Sequence, residues 1–174
     1  MAAYDSDQMD EVVTCLEMTS PAQLVPGRPP PAPLELDEVD RAAAPILRST
    51  YVRIWAALAS GGRIGWSVAQ WEEELSRPGV RAWLARVGGT IAGFVELEAE
   101  PNGAVGIVVF GLVPEFVGKG FGGAFLTQTA ETAWKLTSRG GPTKRVWVQT
   151  SSDDHPHALP NYERRGFQPF RTDC

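Results

Sequence analysis

Four glycines around a lysine carry the clearest chemical signal of the sequence. They occupy positions 118, 120, 122 and 123, and Lys119 lies between the first two. Glycines there remove side chains that would screen the backbone N–H groups, so several donors can converge on one anion. The segment follows an apolar run, 105–113, and leads into a helical pattern over about 122–138, whose positive dipole end adds to the charge of Lys119. Strand, loop and helix together predict a cradle for a pyrophosphate.

Two common nucleotide-binding motifs do not describe this loop. A Walker A loop requires Gly-Lys-Ser/Thr, whereas Lys119 is followed by Gly120. A dinucleotide fingerprint opens a repeated strand–helix–strand sheet, whereas this loop follows meander strands late in the chain. The loop instead resembles the acetyl-CoA loop of the GNAT superfamily of N-acetyltransferases, Arg/Gln-x-x-Gly-x-Gly/Ala, over 117–122, although Val117 departs from the family's first position. A glycine-rich turn without a ligand is the alternative.

A second segment, Tyr162-Glu163-Arg164-Arg165-Gly166-Phe167, resembles the other hallmark of the same family. The resemblance implies that Tyr162 lies near the CoA sulfur and protonates the leaving thiolate. A phenol has an unperturbed pKa of about 10, which suits a thiolate of similar basicity. The alternative is that Tyr162 only packs against the core.

The resemblance also implies where CoA is bound. Pantetheine pairs with unpaired backbone groups near the end of the strand before the loop, where one N–H can stabilise the tetrahedral oxyanion. Many relatives place an Asn seven residues before the tyrosine; His155 holds that place and could contact pantetheine, act as a base, or be a surface residue. The cofactor-binding residues implied are Leu112, Val113, Val117, Gly118, Lys119, Gly120, Phe121, Gly122, Gly123, His155 and Asn161.

The general base and the acceptor side are less evident. Many relatives carry a Glu in the strand before the loop, and 105–113 has none. Charges that alternate along a strand usually mark a solvated face, as in 90–100, and a deprotonated amine would need only water. The candidate bases are Glu96, Glu98, Asp153, Asp154 and His155. The candidates to line the acceptor side, or to form core, are Tyr51, Trp55, Trp66 and Trp71.

Size and composition limit the function classes. The 174 residues suffice for one domain, 1–174, and the net charge of −5 argues against nucleic-acid binding. Cys15 and Cys174 lack metal-ligand spacing and are interpreted as a buried thiol and a tail thiol, and two histidines make a zinc site improbable. The sequence shows no secretory signal and no apolar run of membrane-spanning length, so we expect a cytoplasmic protein. The expected partner is a small-molecule amine, with no nucleic acid or membrane partner and with a homodimer left open.

The order of patterns predicts an α/β fold with a twisted mixed sheet, flanked by helices and splayed at its centre. It also resembles the GNAT order, although the family's further C-terminal strand is absent here or contributed otherwise. A Pro-rich segment, 25–33, is interpreted as a stiff connector, or alternatively as a wall of the acceptor pocket. The predicted strands are 11–19, 80–87, 90–100, 105–113, 144–150 and 167–171, and the predicted helices are 37–59 with a restart near Pro45, 68–76 capped by Ser67, 122–138 and 155–165.

These features predict a single GNAT-type domain that transfers acetyl from acetyl-CoA to an amine by direct attack. Three alternatives remain open at this point. The chain could be a non-catalytic acyl-CoA-binding module, a transferase of a longer acyl group, or a protein lysine or N-terminal acetyltransferase.

Overall fold

A seven-stranded mixed sheet with helices on both faces forms the described part of the molecule. The computed structural model describes residues 11–58, 61–138 and 140–174. The strands are β1 Val13–Met18, β2 Leu34–Val39, β3 Val80–Val87, β4 Thr90–Ala99, β5 Ala104–Leu112, β6 Thr137–Ser138, β7 Gly141–Pro142, β8 Arg145–Ser151 and β9 Gln168–Thr172. The helices are α1 Ala44–Trp55, α2 Val68–Leu75, α3 Gly122–Lys135 and α4 Ala158–Arg164. None of these helices is long and apolar enough to cross a membrane.

The main sheet has the strand order β2-β3-β4-β5-β8-β1-β9. Neighbouring strands are antiparallel except β5 and β8, which are parallel. β6 and β7 form a separate two-stranded ribbon. The predicted mixed sheet with flanking helices is therefore confirmed.

Two apolar cores lie on opposite faces of the sheet. One packs α1 and α2 against the sheet and includes Leu47, Trp71 and Phe94. The other packs α3 and α4 against the opposite face and includes Phe125 and Phe167. Because both faces are covered, the central strands lie between two layers of helices.

Local sequence signals place the middle of the chain correctly. Gly88 and Gly89 join β3 to β4 with φ values of 56° and 80°, the left-handed conformation that a two-residue hairpin requires. Ser67 caps α2 in a reciprocal capping box with Gln70. The three meander strands and α2 lie where they were predicted.

The helix predicted over 37–59 is wrong at its beginning. Residues 34–37 alternate apolar and polar side chains, and residues 34–39 pair with β3 as the edge strand β2. Asp40 then caps a short 3-10 turn, and Pro45 lies in the first turn of α1, where its missing N–H costs nothing. Pairing with β3 thus overrides a helical periodicity that begins properly only at Ala44.

The prediction that one face of β4 is exposed to solvent is also wrong. Glu96 is fully buried, because α1 and α2 cover this face, and it forms an ion pair with Arg63. A buried carboxylate needs such a partner. The charged residues that alternate along β4 therefore mark a face that is covered by helices and forms ion pairs, and not a face exposed to solvent.

The N-terminal strand β1 occupies the place beside β8, between β8 and β9. A strand from the N-terminal part of the chain thus fills the position between β8 and β9. This arrangement also corrects the interpretation of the cysteines as separate thiols, because Cys15 and Cys174 form a disulfide. β9 returns antiparallel to β1, and the Asp173 N–H donates to the Val13 carbonyl, which brings the chain end beside Cys15.

Candidate active site

A cleft opens where the two parallel central strands diverge. β5 and β8 pair only from Ala104 with Arg145 to Ile107 with Val148, yet β5 continues to Leu112 and β8 to Ser151. The predicted splay is confirmed. The cleft has a volume of about 310 Å³ and is lined by Glu11, Val13, Tyr51, Trp55, Gly62, Arg63, Ile107, Val108, Val109, Phe110, Val148, Gln149, Thr150, Ser151, Asp154 and Tyr162.

The backbone of β5 offers one of its two predicted contact residues to this cleft. The Val113 N–H donates to the Ala92 carbonyl at 2.8 Å, so it faces β4 and is already used. Alternate residues of a strand point their N–H groups to opposite sides. The Leu112 N–H therefore points to the side from which β8 has diverged, and Leu112 is the better placed donor for an oxyanion.

Tyr162 lies at the cleft on α4. The residue is 6% exposed, and its ring packs 6.1 Å from Phe110 and 5.9 Å from Phe167, measured between centroids. Burial raises the pKa of the phenol, and the Asp154 carboxylate raises it further. Tyr162 thus stays protonated near neutral pH, as a general acid must.

The glycine loop leads to the N-terminus of α3. Gly118 and Gly120 have φ values of 70° and 92°, so both need the left-handed conformation that glycine adopts without strain. Phe121 precedes α3, and among the described residues no side chain caps the helix there. Its first N–H groups are therefore available to an anion, and Lys119 is exposed beside them. This geometry fits a pyrophosphate.

The Pro-rich connector packs on this cradle and not on the acceptor side. The Gly27 N–H donates to Thr127 Oγ1 at 2.9 Å, and that hydroxyl donates to the Gly123 carbonyl at 2.7 Å. A Cβ on Gly123 would collide with the Arg165 guanidinium. A Cβ on Gly120 would lie 3.4 Å from the Pro31 side chain. The connector therefore supports the loop, a role that its composition did not reveal.

Two further predicted cofactor residues lie in different places. Asn161 Nδ2 donates to the Gly122 carbonyl at 3.1 Å and so ties α4 to the first residue of α3. His155 lines a neighbouring cavity of about 380 Å³, together with Val12 and Thr14, and Tyr162 does not line that cavity. Val117 ends the short 3-10 turn before the loop.

The acceptor side contains half of the predicted aromatic set. Tyr51 and Trp55 line the cleft with their rings stacked at 4.4 Å. Trp71 is fully buried and Trp66 packs against the same core, so these two are core residues. Arg63, which sequence reasoning missed, also lines the cleft. The backbone N–H of Arg63 donates to the Tyr51 hydroxyl at 3.2 Å. The only sequence signal that could have indicated Arg63 was the row of glutamates on β4, which would need a positively charged partner if it were buried.

The structure separates the candidate bases. Glu96 is held by Arg63 and Glu98 by Arg77, so both are engaged in ion pairs. Asp154 is the one candidate base among the described residues that line the cleft. Its Oδ2 accepts hydrogen bonds from Thr150 Oγ1 at 2.9 Å and from the Ser151 N–H at 3.1 Å, which fixes the carboxylate in place.

Comparisons with known proteins agree with this geometry. Residues 46–167 match the family model described as acetyltransferase (GNAT) family. No curated protein matches the chain significantly.

Solved structures share the fold at low sequence identity. A functionally unknown conserved protein from Staphylococcus epidermidis is 15% identical with a TM-score of 0.63, covering 93% of this chain and 59% of that one. A GCN5-related N-acetyltransferase from Kribbella flavida is 17% identical with a TM-score of 0.61, covering 92% and 55%. AAC(6')-Iy, solved with the bisubstrate analog CoA-S-monomethyl-acetylneamine, is 16% identical with a TM-score of 0.55, covering 82% and 100%. The chain thus spans little more than half of the first two proteins.

Proposed function

The chain belongs to the acetyltransferase (GNAT) family, and we propose that it transfers an acetyl group from acetyl-CoA to an amine by direct attack. One observation carries the proposal. The splayed ends of β5 and β8 open a cleft that contains Tyr162, and β5 leads directly into the glycine loop at the N-terminus of α3. The candidate pyrophosphate site and the candidate general acid thus both lie near the end of β5.

Each step is assigned to a group of this chain. When bound, acetyl-CoA supplies the activated thioester. The Gly118–Gly123 backbone and Lys119 hold its pyrophosphate, and the Leu112 N–H stabilises the oxyanion of the addition step. Asp154 receives the proton of the attacking amine, and Tyr162 returns a proton to the leaving thiolate. No Cys or Ser nucleophile is required, because the amine itself forms the new bond.

Turnover of acetyl-CoA by the purified chain tests the proposal. CoA thiol release would be followed with a panel of small primary amines, a lysine-containing peptide and a free N-terminal peptide. Acetylation of a small amine, with loss on Tyr162→Phe, is the expected result. Preferred turnover of either peptide would indicate a protein acetyltransferase, and faster transfer from a longer acyl-CoA would revise the acyl group.

A non-catalytic acyl-CoA-binding module is the outcome to separate from these. It would bind CoA in calorimetry and release no thiol above the spontaneous rate with any acceptor.

Light scattering on the same samples would detect a homodimer. A cytoplasmic location stays a prediction, and the Cys15–Cys174 disulfide makes it worth testing, since reducing compartments disfavour such bonds.

A further inference from the structure

Five charged side chains form a cluster between α1, α2 and β4. Arg63 pairs with Glu96 through two contacts, Nη1 to Oε2 at 2.8 Å and Nη2 to Oε1 at 3.2 Å. Arg63 also lies 3.5 Å from Glu74, which pairs with Arg77 at 2.8 Å, and Arg77 pairs in turn with Glu98. The cluster is not a surface network, because Glu96 is fully buried.

Arg63 connects this cluster to the cleft. Its side chain is 14% exposed, and its guanidinium lies 4.4 Å from the Trp66 ring centroid and 5.2 Å from that of Trp71. Its fork is occupied by Glu96, which does not itself line the cleft. An arginine in a cleft normally attracts anions. Here the carboxylate of Glu96 cancels that attraction.

The other charges of the cleft are negative. Among the described residues that line it, Glu11 and Asp154 are the charged side chains besides Arg63. The stacked Tyr51 and Trp55 rings lie at the same side and can receive a cation on their faces. With Arg63 neutralised, the cleft presents two carboxylates and an aromatic pair.

We propose that Glu96 is a specificity-determining residue, which neutralises Arg63 and so makes the cleft select cationic over anionic acceptors. Ionising a fully buried carboxylate beside one arginine seldom stabilises a fold, so stability does not explain why the pair lies here. The position of the Arg63–Glu96 pair next to the acceptor side does explain why the pair is there. The inference rests on the proposed function only in taking the cleft as the acceptor site.

The ionisation of Glu96 gives this selectivity a pH dependence. Burial raises the pKa of Glu96 to about 7, opposed by Arg63 and reinforced by the charge of Glu74. The other groups packed around it are Arg77 and Glu98 of the same cluster and the Tyr51 phenol of α1. Above this pKa the ionised Glu96 balances the positive charge of Arg63, and below it the protonated Glu96 no longer does. Selectivity for cations should therefore be greatest in mildly alkaline solution.

A pair of shape-matched probes tests the proposal without any turnover. Phenethylamine and 3-phenylpropionate carry the same ring and opposite charges, and both would be titrated into the full-length chain at pH 8.5 by NMR. The wild type should bind the amine more tightly. Glu96→Gln removes one negative charge and leaves Arg63 only its longer, 3.5 Å contact with Glu74, so the ratio of the two affinities should fall by up to about tenfold, as expected for one unit charge several ångströms away.

Two further variants fix the interpretation. The double variant Arg63→Gln/Glu96→Gln removes both charges of the pair, so it should restore the ratio of the wild type. Glu98 lies on β4 like Glu96 but pairs with Arg77, so Glu98→Gln should leave the ratio unchanged.

An unchanged ratio in Glu96→Gln would overturn the proposal, as would a lowered ratio that persists in the double variant, an equal effect of Glu98→Gln or a wild type that prefers the anion. If Glu96→Gln does not fold, the change of the wild-type ratio between pH 5.5 and pH 8.5 decides. A cation-selective cleft without acetyl transfer would contradict the proposed function and leave this inference standing, so the two failures are distinguishable.

Discussion

The cofactor side and the acceptor side of the cleft are built in different ways. On the proposed cofactor side the candidate binding groups are backbone N–H groups of the glycine loop and of the first turn of α3. On the proposed acceptor side the candidates are side chains from α1, the following loop and the region after β8, namely Tyr51, Arg63 and Asp154. The first side depends on local conformation, whereas the second depends on distant segments meeting.

This difference predicts how each side responds to substitution. A change in the glycine loop alters the shape of a rigid backbone site, so it should abolish cofactor binding outright. A change on the acceptor side alters charge or a single proton transfer, so it should shift rate or selectivity and leave CoA affinity intact. The predictions below test that contrast, and the largest expected effect is described first.

Gly120→Asp and Gly122→Asp should each abolish CoA binding, an effect of at least about 100-fold in affinity. Either change adds bulk and negative charge where a pyrophosphate would lie, and at Gly120 the φ of 92° also strains any side chain. Calorimetric titration with CoA measures the effect. Gly65→Asp on the acceptor side is the matched control, because a Cβ there meets nothing within 4 Å. Unchanged affinity in both loop variants would refute the cradle.

Tyr162→Phe should lower kcat by about 10²–10⁴-fold while the KM for acetyl-CoA barely moves. The change removes one hydroxyl and keeps the buried ring against Phe110 and Phe167, so the fold should be preserved. Steady-state kinetics with the best amine acceptor measures both constants. Near wild-type kcat would assign Tyr162 to packing, and His155→Ala would then be the next variant to measure.

Cys174→Ser should lower the free energy of unfolding by roughly 2–4 kcal/mol, because a disulfide between the chain ends restricts the unfolded state. The bond joins Cys15 of β1 to Cys174, which lies two residues beyond the edge strand β9. Urea denaturation provides the measurement, and the wild type under reducing conditions is the control, which should match the variant. Two reactive thiols in the oxidised, denatured wild type would contradict the bond.

Glu96 should make stability depend on pH on the acceptor side. Burial raises its pKa to about 7, from an ordinary value of 4.5. Its protonated form therefore contributes stability that is fully present below about pH 4.5 and lost as the pH rises through 7. The difference in unfolding free energy between the wild type and Glu96→Gln should fall by about 2 kcal/mol from pH 5.5 to 8.5. Contributions common to the wild type and Glu96→Gln cancel in this difference, and a difference that stays constant with pH would exclude the raised pKa.

Much of the cofactor side could be predicted from the sequence. Glycines at fixed spacing, a strand before them and a helix after them have local causes, because a positive φ and an unscreened N–H depend on the residue itself. The hairpin at Gly88-Gly89 and the cap at Ser67 were predictable for the same reason. In contrast, the alternating charges of β4 predicted a wet face, and the covering helices α1 and α2 reversed that prediction for Glu96.

The sequence by itself determined the meander, the glycine loop, the helix that follows the loop and the position of Tyr162 in the motif that ends at Phe167. Only the tertiary structure decided that β1 would lie between β8 and β9, that Cys15 would meet Cys174, and that Arg63 would reach Glu96. Backbone conformation is set by each residue and its near neighbours. Pairing between segments far apart in the chain is set instead by which surfaces remain to be buried once the sheet has formed.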